Sequence, residues 1–267
     1  MSIDFSFSPE LEALRDRVRG FVNEVIRPAE VELEEQASKQ ATSQTSGQAT
    51  GSDEGTSGRT RLEILISLRK QAHKAGIWLP HMPEEWGGMG LGHVELAMVQ
   101  AEAARSYYGP WVFNCQAPDE GNMHTLLHWA TDDQKKRYLR PLCDGRTWSC
   151  FAMTEPEVAG SDPTLIRTTG YQDGEEWVIN GHKWFTSNGM EADFFIVMCR
   201  TDDGGGEADR NSRMTQIIVP SDTDGVKILR GIGVWGGTSD HCEIVYDNVR
   251  VPLENQLGET GSGHQAA

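Results

Sequence analysis

The residues best able to do chemistry lie in two short runs. The first, over 151–162, reads Phe-Ala-Met-Thr-Glu-Pro-Glu-Val-Ala-Gly-Ser-Asp. Strand-like residues break at Pro156, and the chain then turns through Ala159 and Gly160. A glycine permits φ > 0 and close backbone approach. Successive amides in such a turn form an anion-binding concavity. Thr154 and Ser161 add two hydroxyls, so the run suits a phosphate or the polar edge of a planar cofactor. A plain surface turn after a strand accounts for the same residues. The second run, over 180–189, reads Asn-Gly-His-Lys-Trp-Phe-Thr-Ser-Asn-Gly. Asn180-Gly181 predicts a hairpin turn. The aromatic pair Trp184-Phe185 then precedes the hydroxyls of Thr186 and Ser187.

Three rival motifs carry less. Residues 231–236 spell Gly-Ile-Gly-Val-Trp-Gly, a literal GxGxxG. The nucleotide fingerprint needs a helix to follow, and here a strand-like run follows instead. His124 and His128 are four apart on a predicted helix, but Thr, Leu and Leu lie between them rather than the Glu of a zinc helix. No metal site is assigned. Glu155 could serve as a general base, but bracing its own loop through backbone amides is the favoured reading. No GxSxG nucleophile elbow is present.

The elements that must hold these runs change character midway. Ser8-Pro9-Glu10 opens a helix, and Pro28 ends or bends it. Residues 37–60 are mostly Ser, Thr, Gly, Gln and Ala, and read as a flexible low-complexity insert. Helical spacing resumes at Leu62 and closes at Gly76. Further helices are predicted over 93–106, after Pro118, and after the Thr131 cap. From Trp148 the period becomes two. Strands are predicted over 148–154, 164–172, 175–180, 182–187, 193–201, 213–219, 225–230 and 241–251, with a charged loop over 202–212. Helices followed by strands imply an α+β fold: an all-α domain over 1–147, then an antiparallel β-barrel or sandwich over 148–257. Residues 258–267 read as a linker.

The chain has 267 residues and a formal net charge of −16, which argues against a nucleic-acid or anionic-membrane surface. Its five cysteines show no CxxC spacing and read as reduced core thiols. No apolar run approaches the ~18 residues of a membrane span. The start, Met-Ser-Ile-Asp-Phe, has no leader character, so a cytoplasmic location is expected, with peroxisome or mitochondrion as alternatives.

The two runs, in this order and with Val249-Arg250-Val251-Pro252 after them, resemble the acyl-CoA dehydrogenase flavoprotein family. The likeness covers the chain apart from 37–60. Pro118-Asp119-Glu120-Gly121-Asn122-Met123 is similar to the subgroup of acyl-CoA dehydrogenase family members ten and eleven. The breaker-rich Pro83–Gly90 loop resembles a Pro-Glu-x-x-Gly-Gly loop of the same family, with no chemistry assigned to it.

The resemblance implies FAD as cofactor, an acyl-CoA substrate and an α,β-dehydrogenation in fatty-acid β-oxidation. A carboxylate takes the α-proton while hydride leaves the β carbon for flavin N5. It implies an electron-transferring flavoprotein as acceptor, a homo-oligomer, and long or branched acyl chains. Phe151, Met153 and Thr154 would meet the isoalloxazine, with Thr154 donating to its rim. Gly160 and Ser161 would cradle the pyrophosphate, and Ser161 would also touch the CoA side. Phe185 stands where the family usually has a Trp against the flavin. Thr186 follows it, and Ser187 stands where a Thr bonds the N5 region. The family's catalytic Glu belongs to a C-terminal helical domain, so no catalytic residue is assigned here. The chain is expected to be catalytically incomplete, ending where that domain would begin. An acyl-CoA oxidase or nitroalkane-oxidase-like activity on the same scaffold, or a non-catalytic flavin- or CoA-binding module, stays open.

Overall fold

A computed structural model describes residues 6–35, 60–201, 213–233 and 241–267. The insert expected over 37–60 (Thr60 apart), the 202–212 loop and the end of the GxGxxG run lie outside the described residues. The chain divides into two compact units, Met1–Gln116 and Ala117–Ala267.

The first unit is helical. Helix α1 (Pro9–Phe21) is capped by Ser8, whose Oγ accepts from the Leu11 amide at 3.3 Å. Pro28 does not end it. The helix passes through a π turn at Val22–Ile26 and runs on over 27–35. A widened turn absorbs the proline, which lacks an N–H and crowds the preceding turn. Helix α2 (Arg61–Lys74) starts on a reciprocal capping box between Thr60 and Glu63, and Gly76 follows its end at φ +67°. Helix α3 (His93–Ala103) carries Glu102, which takes both Nε and Nη2 of Arg19 on α1, at 3.0 and 2.5 Å. Helix α4 (Gly109–Val112) closes the unit.

The second unit opens with helices α5 (Asp119–Trp129), α6 (Asp132–Gln134) and α7 (Arg140–Cys143). Strands follow: β1 (Ser149–Ala152), β2 (Thr169–Asp173), β3 (Glu176–Thr186), β4 (Phe194–Arg200), β5 (Met214–Pro220), β6 (Val226–Ile232), β7 (His241–Pro252) and β8 (Gln256–Leu257). A short helix, α8 (Gly263–Ala266), ends the chain. The α+β segregation therefore holds. Packing nevertheless divides the chain ahead of the change in periodicity near 148, because α5 is tied to β1. Asp119 Oδ1 accepts from the Ser149 amide at 2.7 Å and from its hydroxyl at 2.6 Å. Asn122 donates to the same hydroxyl at 2.8 Å.

The sheet is mixed and open, not antiparallel throughout. Its order is β6-β7-β3-β2-β4-β5-β8, with β1 parallel to β4. β1 and β2 share one edge of β4: β1 covers Phe194–Val197, and Thr169 of β2 reaches Arg200. The sheet curls over one core, in which Trp177, Ile244 and Tyr246 meet Phe195, Val197 and Ile217. The rings of Phe195 and Tyr246 meet edge to face at 6.3 Å.

Two local expectations are corrected. Asn180-Gly181 is not a hairpin turn: β3 runs unbroken through it, and the turn from β2 falls at Gly174, φ +65°. The Asn-Gly pair instead makes a register irregularity against β7. Glycine is needed there because a Cβ would land on the Thr168 side chain. Asn180 Oδ1 accepts from the Asn248 amide at 2.9 Å. The strand expected from 164 begins at Thr169, after a 3-10 turn at Pro163–Leu165 capped by Asp162. Residues 258–267 pack on the sheet: Ser262 bridges Met214, and Gln216 donates to Gly263 O at 2.9 Å. Among the described residues no helix is long and apolar enough to cross a membrane.

Candidate functional site

The site forms at the far end of β3. A second register irregularity separates Lys183 from Thr186 in the pairing with β7. A bulge inserts an extra residue and re-aims the side chains around it. Lys183 and Thr186 are both buried, at 0% and 1% exposure, although three positions apart. Phe185 between them has φ +49° and is 43% exposed. A bulky residue in that region is an outlier costing about 1–3 kcal/mol, and such strain persists chiefly where function requires it.

What over-determines the bulge is a buried ion pair. Lys183 Nζ donates to Glu155 Oε1 at 3.0 Å and to the Met153 carbonyl at 2.8 Å. Glu155 also accepts from the Arg167 amide at 2.7 Å, the Thr168 amide at 2.8 Å and the Thr168 hydroxyl at 2.6 Å. Burial works to raise the Glu155 pKa, but Lys183 and these hydrogen bonds outweigh it and hold it below the ordinary value. Burial pushes the Lys183 pKa down, opposed by Glu155. Every donor around Glu155 favours a carboxylate that stays put. The buried carboxylate braces its loop and, held ionised below its ordinary pKa, is a weak base.

Two tethers lay the end of β3 antiparallel along β1. The Trp184 amide donates to Thr154 O at 3.0 Å, and Asn188 Nδ2 donates to Ser149 O at 3.1 Å. Phe185, Thr186 and Ser187 thus lie alongside Phe151, Ala152 and Met153. Ala152 and Thr186 are buried, whereas Phe151, Met153 and Ser187 are half-buried and Phe185 is exposed. Phe151 and Met153 pack on Ile166, Met198 and Met214, away from the main core. Gly160 lies beside Thr154, since a Cβ on it would meet Thr154 Cγ2 at 3.4 Å. Gly160 and Ser161 are exposed, and among the described residues no protein group accepts from their amides. Ser187 Oγ lies 2.8 Å from His241 Nδ1 at the start of β7, and the Phe185 ring meets the His241 ring at 6.1 Å.

Seven of the eight candidate residues therefore present surface around one strand junction. Thr186 does not. It is buried, with its Oγ1 unpartnered among the described residues. His124 and His128 stack at 6.5 Å on α5, with His124 beside Glu120 at 3.7 Å.

Three residues escaped the sequence reading. Lys183 stood inside the second run with no role, although a lysine flanked by aromatics in a strand must point one way or the other. His182 clamps the first run to the sheet: Nδ1 meets Glu157 and Nε2 meets Glu243, each at 2.8 Å. Burial works to lower the His182 pKa, but the two carboxylates outweigh it and raise it. Glu243 is itself held by Arg230 at 2.6 Å, which lowers its pKa. His241 had no local signal, because only the β3 bulge brings Ser187 to it.

Two family models and several known proteins match the chain. The family model "Acyl-CoA dehydrogenase, middle domain" matches residues 150–249, and "Acyl-CoA dehydrogenase, N-terminal domain" matches 56–146. The chain is 36% identical over 269 residues to the probable acyl-CoA dehydrogenase FadE2 of Mycobacterium tuberculosis, covering 99% of this chain and 61% of that protein. It is 38% identical over 208 residues to acyl-CoA dehydrogenase family member 11 of Homo sapiens, covering 76% of this chain and 26% of that protein. It thus spans under two thirds of either relative. A glutaryl-CoA dehydrogenase from Mycobacterium smegmatis, solved in complex with FADH2, superposes with a TM-score of 0.70 at 26% identity, over 97% of this chain and 58% of that one.

Proposed function

The chain belongs to the acyl-CoA dehydrogenase family, and from that premise we propose that it holds FAD where β1 meets the end of β3 and receives an acyl-CoA there. The observation that carries this is Phe185, a large aromatic held exposed at φ +49° two positions from the half-buried Ser187. Strain of this kind is kept where a ligand uses it. The residues fit a flavin. Phe185 offers a wall for a flat ring, and Phe151 and Met153 add apolar surface alongside. Thr154 supplies a hydroxyl to the polar rim, and Ser187 supplies one to the N5 region. The unsatisfied amides of Gly160 and Ser161 suit a pyrophosphate, with Ser161 also toward the CoA. Thr186, buried, supports the bulge rather than touching the ring.

A bound flavin would supply the hydride acceptor, and the protein's part is to position it and tune it. The substrate is proposed as a long or branched acyl-CoA, and the electron acceptor as an electron-transferring flavoprotein. Both rest on the resemblance and on relatives named as family members ten and eleven. Proton abstraction is assigned to no residue of this site. Glu155 is buried and held ionised by four donors, and Glu157 and Glu243 are committed to His182. The FAD-loaded chain should therefore bind acyl-CoA without bleaching.

Phe185→Gly tests the reading with two readouts. Glycine tolerates the backbone conformation, so relief of strain offsets much of what the lost ring contacts to Trp184 and His241 cost, and the variant should stay folded. FAD affinity should fall. Unchanged affinity in the folded variant would contradict the site.

A further inference from the structure

We propose that His241 is a positioning residue that decides which way the Ser187 hydroxyl hydrogen points, an inference resting on the placement of Ser187 at a flavin edge. The bulge in β3 sets Thr186 opposite Cys242, which delivers Ser187 to His241. His241 begins β7, paired with Ile232 of β6. Its ring stands against Phe185 on one side and hydrogen-bonds Ser187 Oγ at 2.8 Å. Glu243, two residues along β7, is held by His182 and Arg230.

A hydroxyl carries one proton and two lone pairs, and a neutral imidazole can present either face of that bargain. With the ring proton on Nε2, Nδ1 accepts the Ser187 O–H, and Oγ offers only a lone pair outward. With a proton on Nδ1, the ring donates to Oγ, and the Ser187 O–H turns outward as a donor. A flavin N5 accepts a hydrogen bond when oxidised and carries N–H when reduced. The Ser187–His241 pair can meet both states, which makes it a tuner of the redox equilibrium rather than a packing contact.

The test compares FAD-loaded wild type with His241→Phe, His241→Asn, Ser187→Ala and the Ser187→Ala/His241→Phe double variant. Phenylalanine keeps a ring against Phe185 and removes the hydrogen bond. Asparagine keeps a donor and an acceptor. The readouts are the midpoint potential and absorption band of the bound flavin, with FAD affinity. Ser187→Ala and His241→Phe should shift the potential in the same direction, and the double variant no further than the larger single shift. His241→Asn should return toward wild type. FAD affinity should fall about fivefold in His241→Phe, the worth of one hydrogen bond. In flavin-free protein, Ser187→Ala should move the His241 Nδ1 nitrogen resonance.

Wild-type potentials in both His241 variants, with a shift in Ser187→Ala, would overturn the inference and leave the flavin site standing. Equal shifts in His241→Phe and His241→Asn would overturn it in favour of packing. No shift in Ser187→Ala, or no flavin bound by folded wild type, would remove the placement of Ser187 and this inference together.

Discussion

At the scale of the residue, the buried Lys183–Glu155 pair fixes everything around it. Both side chains are essentially inaccessible, and between them they engage Met153, Arg167 and Thr168. Removing one partner of a buried pair leaves an uncompensated charge and costs about 3–5 kcal/mol. Lys183→Met should therefore lower the stability measured by urea unfolding by about that much. Lys183→Met/Glu155→Gln should recover part of it, because the stranded charge is gone. The bracing of its loop by Glu155 through backbone amides was legible from the sequence, since a carboxylate at a strand-to-turn break finds amide donors beside it. Its partner was not legible. A strand residue's facing depends on alternation, and the bulge after Lys183 breaks alternation without any turn residue to announce it.

At the scale of the element, two junctions make different predictions. Gly181 lies against Thr168, so Gly181→Ala must displace Thr168, which also holds Glu155. Overpacking of this kind costs about 1–3 kcal/mol, read as a lower thermal midpoint. Asn-Gly is a sound hairpin signal locally, and it misled here because Thr168 and Asn248 come from elsewhere in the chain. The second junction is the His182 clamp on the 156–162 loop. His182 has a pKa raised above 6.5 by its two carboxylates. A raised folded value means the contribution is complete below 6.5 and is lost as pH rises through the folded value. Amide exchange of the loop should quicken, beyond the chemical rate, as pH rises from 6.5 through the folded value. His182→Ala should abolish that excess. An excess that persisted in the variant would place the pH sensitivity elsewhere. The parallel pairing of β1 with β4 was beyond local reading for the same reason as Thr168: it joins segments separated by two whole strands.

At the scale of the whole molecule, the order of helices and strands was readable from the switch in hydrophobic period near Trp148. The family was readable from two motifs at a fitting separation. The two family models meet at that switch, at 146 and 150, whereas the compact units divide earlier, and α5 packs on β1 through Asp119 and Asn122. Asp119→Ala strands two Ser149 donors at that joint and should cost about 1–3 kcal/mol in unfolding of the second unit. The residues proposed for the flavin site, Phe151, Met153, Thr154, Gly160, Ser161, Phe185 and Ser187, all belong to Ala117–Ala267.

The most direct measurement of the central claim is a titration of FAD into the purified, flavin-free chain, followed by visible absorption and flavin fluorescence, with acyl-CoA added at saturation. The account predicts a bound flavin with a shifted, structured absorption band that acyl-CoA perturbs without bleaching. A folded chain that leaves the FAD spectrum and fluorescence those of the free cofactor would contradict it.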